Sequence, residues 1–328
     1  MSRIFELNGK TVELISLSCS SPFSELISGD ESETQSPDSQ PRSPEINIPF
    51  EIESTFDELV KDEKRFVIGW EYVSRLEWQP VEASAREESI AWIVKVAAFY
   101  GFQPLTTYLS ISYLDRFLSA RQFPITCSWP YQLLSVTCLS LAAKMEELLV
   151  PSLIDLQTEG VVAKHIFEPK TVQRMELLVL SVLEWRLRLI TPFNFLAFFA
   201  YKLDPTGRYN GVISLQASDI ILEAVSDGRI FQFRPSCIAA AALVCVANKF
   251  TGLSVSHVDS EIAESWCDGL IREEITSCCG ILHNIVLKKS SMQTEIVSEF
   301  HSSSPSGDSS CSSSSPSKRR KLNDQRWT

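Results

Sequence analysis

The stretch Leu139–Val150, LSLAAKMEELLV, decides how the rest of the chain is read. It closes an apolar segment that begins at Trp129, and from Leu133 to Ala143 no charged residue occurs. A helix that is apolar on every side has to be buried, so the protein around it is itself helical. Lys144, Met145, Glu146 and Glu147 then arrive together. A helix C-terminus favours a cation or a glycine and disfavours anions. Two glutamates at that end break the local rule, and such a conflict points to a functional surface.

Working outward, the chain reads as further helices. Phe56, Leu59, Val60, Phe66 and Val67 predict a charged surface helix over Thr55–Trp70. Ser84 with Glu87 reads as a capping box opening a helix that runs to Tyr100 and stops at Gly101. Pro104 opens the next helix, through Leu118. Ser128 and Pro130 start the buried helix, Pro151 stops it, and a short helix follows over Ser152–Gln157. Pro169 opens a helix over Thr171–Trp185. The order then repeats. Thr191 and Pro192 start Phe193–Tyr201, and Leu215–Val225 follows. Pro235 opens Cys237–Phe250, a second nearly uncharged helix, before Glu261–Cys267 and Leu270–Leu287. The fold class is therefore all-α, with two sets of about five helices and one wholly buried helix in the middle of each.

The remaining patterns exclude more than they assign. No alternating β-run of useful length appears. With 12 glycines there is no G-x-G-x-x-G and no P-loop to cradle a phosphate. No Ser/His/Asp or Cys/His grouping and no H-E-x-x-H can be read, which argues against an enzyme. The nine cysteines form no C-x-x-C, and the four histidines stand near no paired ligand. Cys127, Cys138, Cys237 and Cys245 lie in or beside apolar runs and read as reduced core residues, so neither cofactor nor metal is expected. No signal segment opens the chain, and its apolar runs are too interrupted to span a bilayer.

Charge is uneven. The total is −11, with −10 in residues 1–63, +4 in residues 318–328 and −5 between them. No broad basic face is implied for the folded part, which makes it a poor match for a nucleic-acid backbone. Residues 1–54 read as a disordered acidic segment, a first helical domain with its preceding helix fills 55–189, a second fills 190–289, and 290–328 is a disordered serine-rich tail. The island Val12–Cys19 reads either as a docking peptide or as a stray fragment of order. Near the end of the tail, Lys318, Arg319, Arg320 and Lys321 form a compact basic run of the nuclear-import type, which places the protein in the nucleus with shuttling to the cytoplasm.

Two five-helix repeats with LSLAAKMEE closing the third helix of the first resemble a cyclin. The runs Arg86–Val96 (REESIAWIVKV), Tyr113–Leu118 (YLDRFL) and Arg174–Trp185 (RMELLVLSVLEW) strengthen this. With its acidic start and SSSSPSKRRKL tail, the chain is most similar to the plant D-type cyclins, D1 group. The resemblance covers about residues 55–290 and implies a tandem cyclin fold. It implies a non-catalytic regulatory subunit that activates a cyclin-dependent Ser/Thr kinase by pressing on the kinase αC helix, and so promotes entry into DNA synthesis.

By the same resemblance, Lys144 and Glu176 contact that kinase helix, with Met145, Leu180, Trp185 and Leu187 as apolar contacts. Arg86 and Asp115 match a structural ion pair between the first two helices. The family's substrate-docking patch keeps only Arg86 and Trp92, with Ala85, Glu88 and Ser89 at its Met and apolar positions. The retinoblastoma-binding motif is degenerate, since Leu17 and Cys19 are followed by Ser21 where the family has Glu. Expected partners are a cyclin-dependent kinase, a retinoblastoma-related protein and kinase inhibitors, with no direct contact to nucleic acid or membrane. Ser315-Pro316-Ser317-Lys318 fits the substrate preference of such kinases, so Ser315 is a phosphorylation candidate beside the basic run. The competing reading is a transcription-factor type of tandem cyclin fold that binds DNA or the basal transcription machinery, which needs the basic face the folded part lacks.

Overall fold

The computed structural model describes residues 5–7, 10–12, 50–123, 128–160, 163–249 and 260–302. The expected nuclear-import run Lys318–Lys321, the candidate Ser315, the motif Leu17, Cys19 and Ser21, and Cys127 lie outside the described residues.

Two short strands near the start, β1 (Phe5–Leu7) and β2 (Lys10–Val12), pair antiparallel with Phe5 opposite Val12. At three residues each, these strands leave the all-α class unchanged. After them the elements are helical. Helix α1 spans Phe50–Asp62 and passes through a 3-10 turn, Glu63–Phe66, into α2, Trp70–Trp78. The single helix expected over Thr55–Trp70 is thus interrupted, because Gly69 takes an extended conformation (ψ 148°) and restarts the chain as α2.

The first repeat comprises α3 (Pro80–Tyr100), α4 (Pro104–Ala120), α5 (Trp129–Glu146), α6 (Asp155–Thr158) and α7 (Pro169–Val182). The second comprises α8 (Phe193–Leu203), α9 (Asn210–Ala224), α10 (Pro235–Lys249), α11 (Ser260–Glu264) and α12 (Arg272–Ser302), with a 3-10 turn at Gly228–Gln232 before α10. The tandem all-α architecture read from the sequence is present. The last helix, α12, runs to Ser302.

Proline places many of the starts. Pro80, Pro104, Pro130, Pro169 and Pro235 stand in the first turn of α3, α4, α5, α7 and α10. A first-turn amide has no intrahelical partner to lose, and the ring presets the helical φ. Pro80 displaces the capping box expected at Ser84, which lies one turn inside α3. Gly101 ends α3 in the left-handed region at φ 66°, where its amide reaches the carbonyls of Ala97 and Ala98. At α8, the Asn194 side-chain oxygen accepts from the Thr191 amide (2.7 Å) and hydroxyl (2.9 Å), fixing the entry to the second repeat.

The middle helix of each repeat is the core. Every residue of α5 from Leu133 to Ala143 is buried, and it packs against α3, α4 and α7. In α10, Cys237 to Val244 are buried between α8 and α9, and the four alanines Ala239–Ala242 let the neighbouring backbones approach closely. Each buried leucine on such a post contributes about 1.5–3 kcal/mol, so these two helices set the shape that every surface residue inherits. The cysteines expected in the core are there as free thiols, Cys138 and Cys237 buried and Cys245 half-buried. Among the described residues no helix is long and apolar enough to cross a membrane. Nor do three or more His, Cys, Asp or Glu residues among them gather where a metal could bind.

Candidate functional site

The rigid end of α5 carries Lys144, and its ammonium lies 2.5 Å from Oε1 of Glu176 on α7. The Ser140 hydroxyl, one turn earlier on α5, donates to the same oxygen at 2.7 Å. Glu176 is held from below by a buried hydroxyl and from above by a cation. The Glu176 side chain is 10 % exposed and the Lys144 side chain 44 %, so the pair sits where the core meets solvent. Lys144 and Glu176, 32 residues apart in sequence, are brought together as the sequence reading paired them. Met145 and Leu180 are half-buried against the core beside them.

The turn after α7 shapes the rest of this face. Glu184 and Trp185 both take positive φ, 55° and 60°, which non-glycine residues seldom adopt. Each such residue costs about 1 kcal/mol or more. The strain is held by the Trp185 amide on the Leu180 carbonyl (2.8 Å) and the Arg186 amide on the Leu183 carbonyl (3.0 Å). Two side chains from α4 fasten the strand beyond it. Tyr113 donates to the Leu187 carbonyl at 2.7 Å and Arg116 to the Arg186 carbonyl at 2.9 Å. The outcome is a split: Leu187 is buried, while the Trp185 ring stands 68 % exposed. Leu148 and Leu149, just past Lys144, are 100 % and 87 % exposed. Leu177 on α7 is also exposed. The segments that carry and follow the ion pair thus expose several large apolar side chains, the composition of an interface centre.

The two glutamates that broke the helix-end rule have separate explanations. Glu147 turns away from its own helix and places Oε1 on the start of α4, where it accepts from the Gln103 amide (2.8 Å) and the Thr106 hydroxyl (2.6 Å). An anion is stabilised at that positive end. Glu146 is pushed up in pKa by burial, opposed by Arg188 and reinforced by Glu147. Sequence reasoning missed the Glu147 contact, along with Ser140, Tyr113 and Arg116.

Arg86 and Asp115 form a two-pronged pair, Nε to Oδ1 at 2.8 Å and Nη2 to Oδ2 at 2.9 Å. Tyr72 of α2 donates to the same carboxylate at 2.6 Å. Arg86 also donates to the Val225 carbonyl (2.9 Å) and the Ser226 carbonyl (2.7 Å), both at the end of α9 in the other repeat. Burial opposes its charge, but Asp115 outweighs burial and holds the guanidinium firmly protonated. The pair thus does more than join α3 to α4, because it ties the repeats together. A groove of about 270 Å³ runs along α3 with Ala85, Glu88, Ser89 and Trp92 on one side and Gln132 on the other. Of the two expected docking residues, Trp92 lines it and Arg86 does not, since Arg86 is buried and committed elsewhere.

The comparisons with known proteins follow the same division. Residues 54–188 match the profile of the cyclin N-terminal domain and residues 190–316 that of the cyclin C-terminal domain. The chain is 50 % identical over 277 residues to Cyclin-D1-1 of Arabidopsis thaliana, covering 82 % of this chain and 81 % of that protein. It is 46 % identical over 241 residues to Cyclin-D1-1 of Oryza sativa subsp. japonica, covering 72 % of this chain and 63 % of the relative. Among solved structures, a viral cyclin from herpesvirus saimiri superposes with a TM-score of 0.53 at 17 % identity, over 62 % of this chain and 85 % of that one.

Proposed function

This chain belongs to the cyclin family, in its plant D-type branch, and on that premise we propose that it activates its kinase through the face built around Lys144 and Glu176. It is a regulatory subunit of a cyclin-dependent Ser/Thr kinase and contributes no catalytic residue of its own. The observation that carries the proposed face is a fixed ion pair at the end of a buried helix, with exposed apolar side chains on the segments that carry and follow it.

The mechanism follows from rigidity. The helix α5 is packed over its whole length, so the position of Lys144 is set by the core. Glu176 has its own anchor in Ser140 and keeps its place when Lys144 turns to a partner. A kinase helix laid on this surface meets two charges of opposite sign and buries Trp185, Leu148 and Leu149. Desolvating such apolar groups supplies affinity, and the charges supply register. Holding the kinase αC helix in one place lets the kinase's Lys–Glu pair and activation loop adopt their active arrangement. The biological consequence we propose is entry into DNA synthesis.

Finer assignments belong to the same proposal. The basic run Lys318–Lys321 directs the chain to the nucleus, and phosphate on Ser315 weakens that by placing about −2 charges beside it. A retinoblastoma-related protein and kinase inhibitors are further partners, with the degenerate Leu17, Cys19 and Ser21 motif binding the former more weakly than an intact one. Affinity purification of the tagged chain from dividing cells, followed by a kinase assay on the eluate, tests the central reading. Recovery of a proline-directed Ser/Thr kinase activity is expected, and an eluate without kinase would refute it.

A further inference from the structure

A second cavity, about 240 Å³ and mostly polar, lies between the linker before α2, the end of α4 and the strained turn after α7. Gly69, Arg116, Ser119, Glu184 and Arg186 line it. Arg116 is half-buried, yet among the described residues no carboxylate stands within ion-pair distance of it. Burial is the main cause that disfavours its charge and the neighbouring Arg186 adds to it, while Tyr113 and Glu184 only partly oppose them. The hydrogen bond to the Arg186 carbonyl uses Nη1 alone, so the guanidinium has donors left over. Arg186 meets Glu184 at 3.1 Å, and both of those side chains are largely exposed. Glu71 lays its carboxylate beside Gly69 at the start of α2. The cavity thus holds one half-buried cation without an ion-pair partner among the described residues and a second paired to the exposed Glu184, with the Glu71 carboxylate at its Gly69 edge.

From this we infer that the cavity is an oxyanion pocket for the phosphoryl group of a phosphorylated serine or threonine on a protein. Paired guanidinium groups recognise such oxygens in a fork geometry, and a doubly charged phosphoryl group outcompetes the exposed Glu184 for Arg186. The Ser119 hydroxyl offers a further donor, and the volume suits a tetrahedral group on a short stem rather than a nucleotide. The choice of phosphoserine over a free anion rests on the kinase reading above, because a Ser/Thr kinase makes such groups and this chain carries Ser43-Pro44 and Ser315-Pro316 itself. The pocket itself does not depend on it.

Calorimetric titration of the full-length chain without kinase tests the pocket. The ligands are a phosphoserine-proline peptide, its unphosphorylated twin and inorganic phosphate. The phosphopeptide binds about tenfold or more tighter than its twin, and phosphate competes with it. The Arg186→Glu variant changes an exposed side chain, keeps its melting temperature and loses about tenfold or more in phosphopeptide affinity. Arg116→Lys, which keeps the charge and loses the fork, weakens binding as well. Equal binding of both peptides overturns the phosphoprotein assignment, and full affinity in Arg186→Glu overturns the pocket. Neither result touches kinase association, which is measured separately.

Discussion

Lys144 and Glu176 are each other's partner in the free chain, 2.5 Å apart, and the carboxylate keeps a second donor in Ser140. The pair is therefore a poised surface with its polarity fixed before any partner arrives. Exchanging the two charges, Lys144→Glu together with Glu176→Lys, retains an ion pair and reverses that polarity. The double variant is expected to melt near the parent temperature and to lose about 3–5 kcal/mol of kinase affinity, roughly two to three and a half decades. Co-purification with kinase at parental strength would show that the charges do not face it.

Trp185 separates binding from folding. Its ring is 68 % exposed, so Trp185→Ala removes little from the core. Denaturant unfolding should change by less than about 0.5 kcal/mol. Kinase association should weaken by about 2 kcal/mol or more, the scale of an interface anchor.

Glu147 predicts the reverse pattern. Its carboxylate caps α4 from another helix, so Glu147→Ala leaves the first turn of α4 short of an acceptor. A destabilisation of about 0.5–2 kcal/mol is expected, with Glu147→Gln recovering part of it through the remaining oxygen. Chemical denaturation of the three proteins side by side reads this directly.

Glu63 gives a pH signature. It is fully buried beneath the start of α10, where its oxygens accept from the Ser236 amide (2.8 Å) and hydroxyl (2.6 Å), with Arg234 at 3.8 Å. Burial raises its pKa above the ordinary carboxylate value, and the Ser236 bonds and Arg234 only partly oppose this. Between the unfolded and folded values the native state holds more protons than the unfolded one. Stability from this group is therefore greatest at low pH and falls as pH rises through the folded pKa. Glu63→Gln is expected to flatten that slope in melting curves recorded upward from the ordinary glutamate pKa of about 4.3. An unchanged slope would mean that other groups set it.

Arg86 is the most expensive single change. Removing one member of a buried pair costs about 3–5 kcal/mol, and Arg86→Ala also strips two carbonyls of the second repeat of their donor. Loss of soluble protein is expected, checked by fractionation after expression. Loss of function in this variant reports unfolding rather than a damaged docking site.

The sequence was most legible where local chemistry decides the outcome. First-turn prolines and two uncharged runs located most helices and both posts, because those signals do not depend on distant residues. Ser84 misled because a capping box and an interior turn share a pattern, and only Pro80 one turn earlier settles which is which. The helix α2 was missed since Trp70–Trp78 mixes charges with aromatics and has no cap to announce it. Glu147 looked anomalous because its partner Thr106 is 41 residues away. The positive φ at Glu184 and Trp185 has no sequence mark at all, as neither residue favours it. Lys144 and Glu176 were found through family resemblance, and the geometry then supplied the Ser140 anchor that resemblance did not contain.

The bond from Arg86 to the Ser226 carbonyl spans 140 residues, and that span has a meaning during synthesis. A ribosome adding about 5–20 residues per second needs on the order of ten seconds between making the guanidinium and making its last acceptor. The first repeat is complete at Val182, so Arg86 meets Asp115 before its Val225 and Ser226 acceptors have been made.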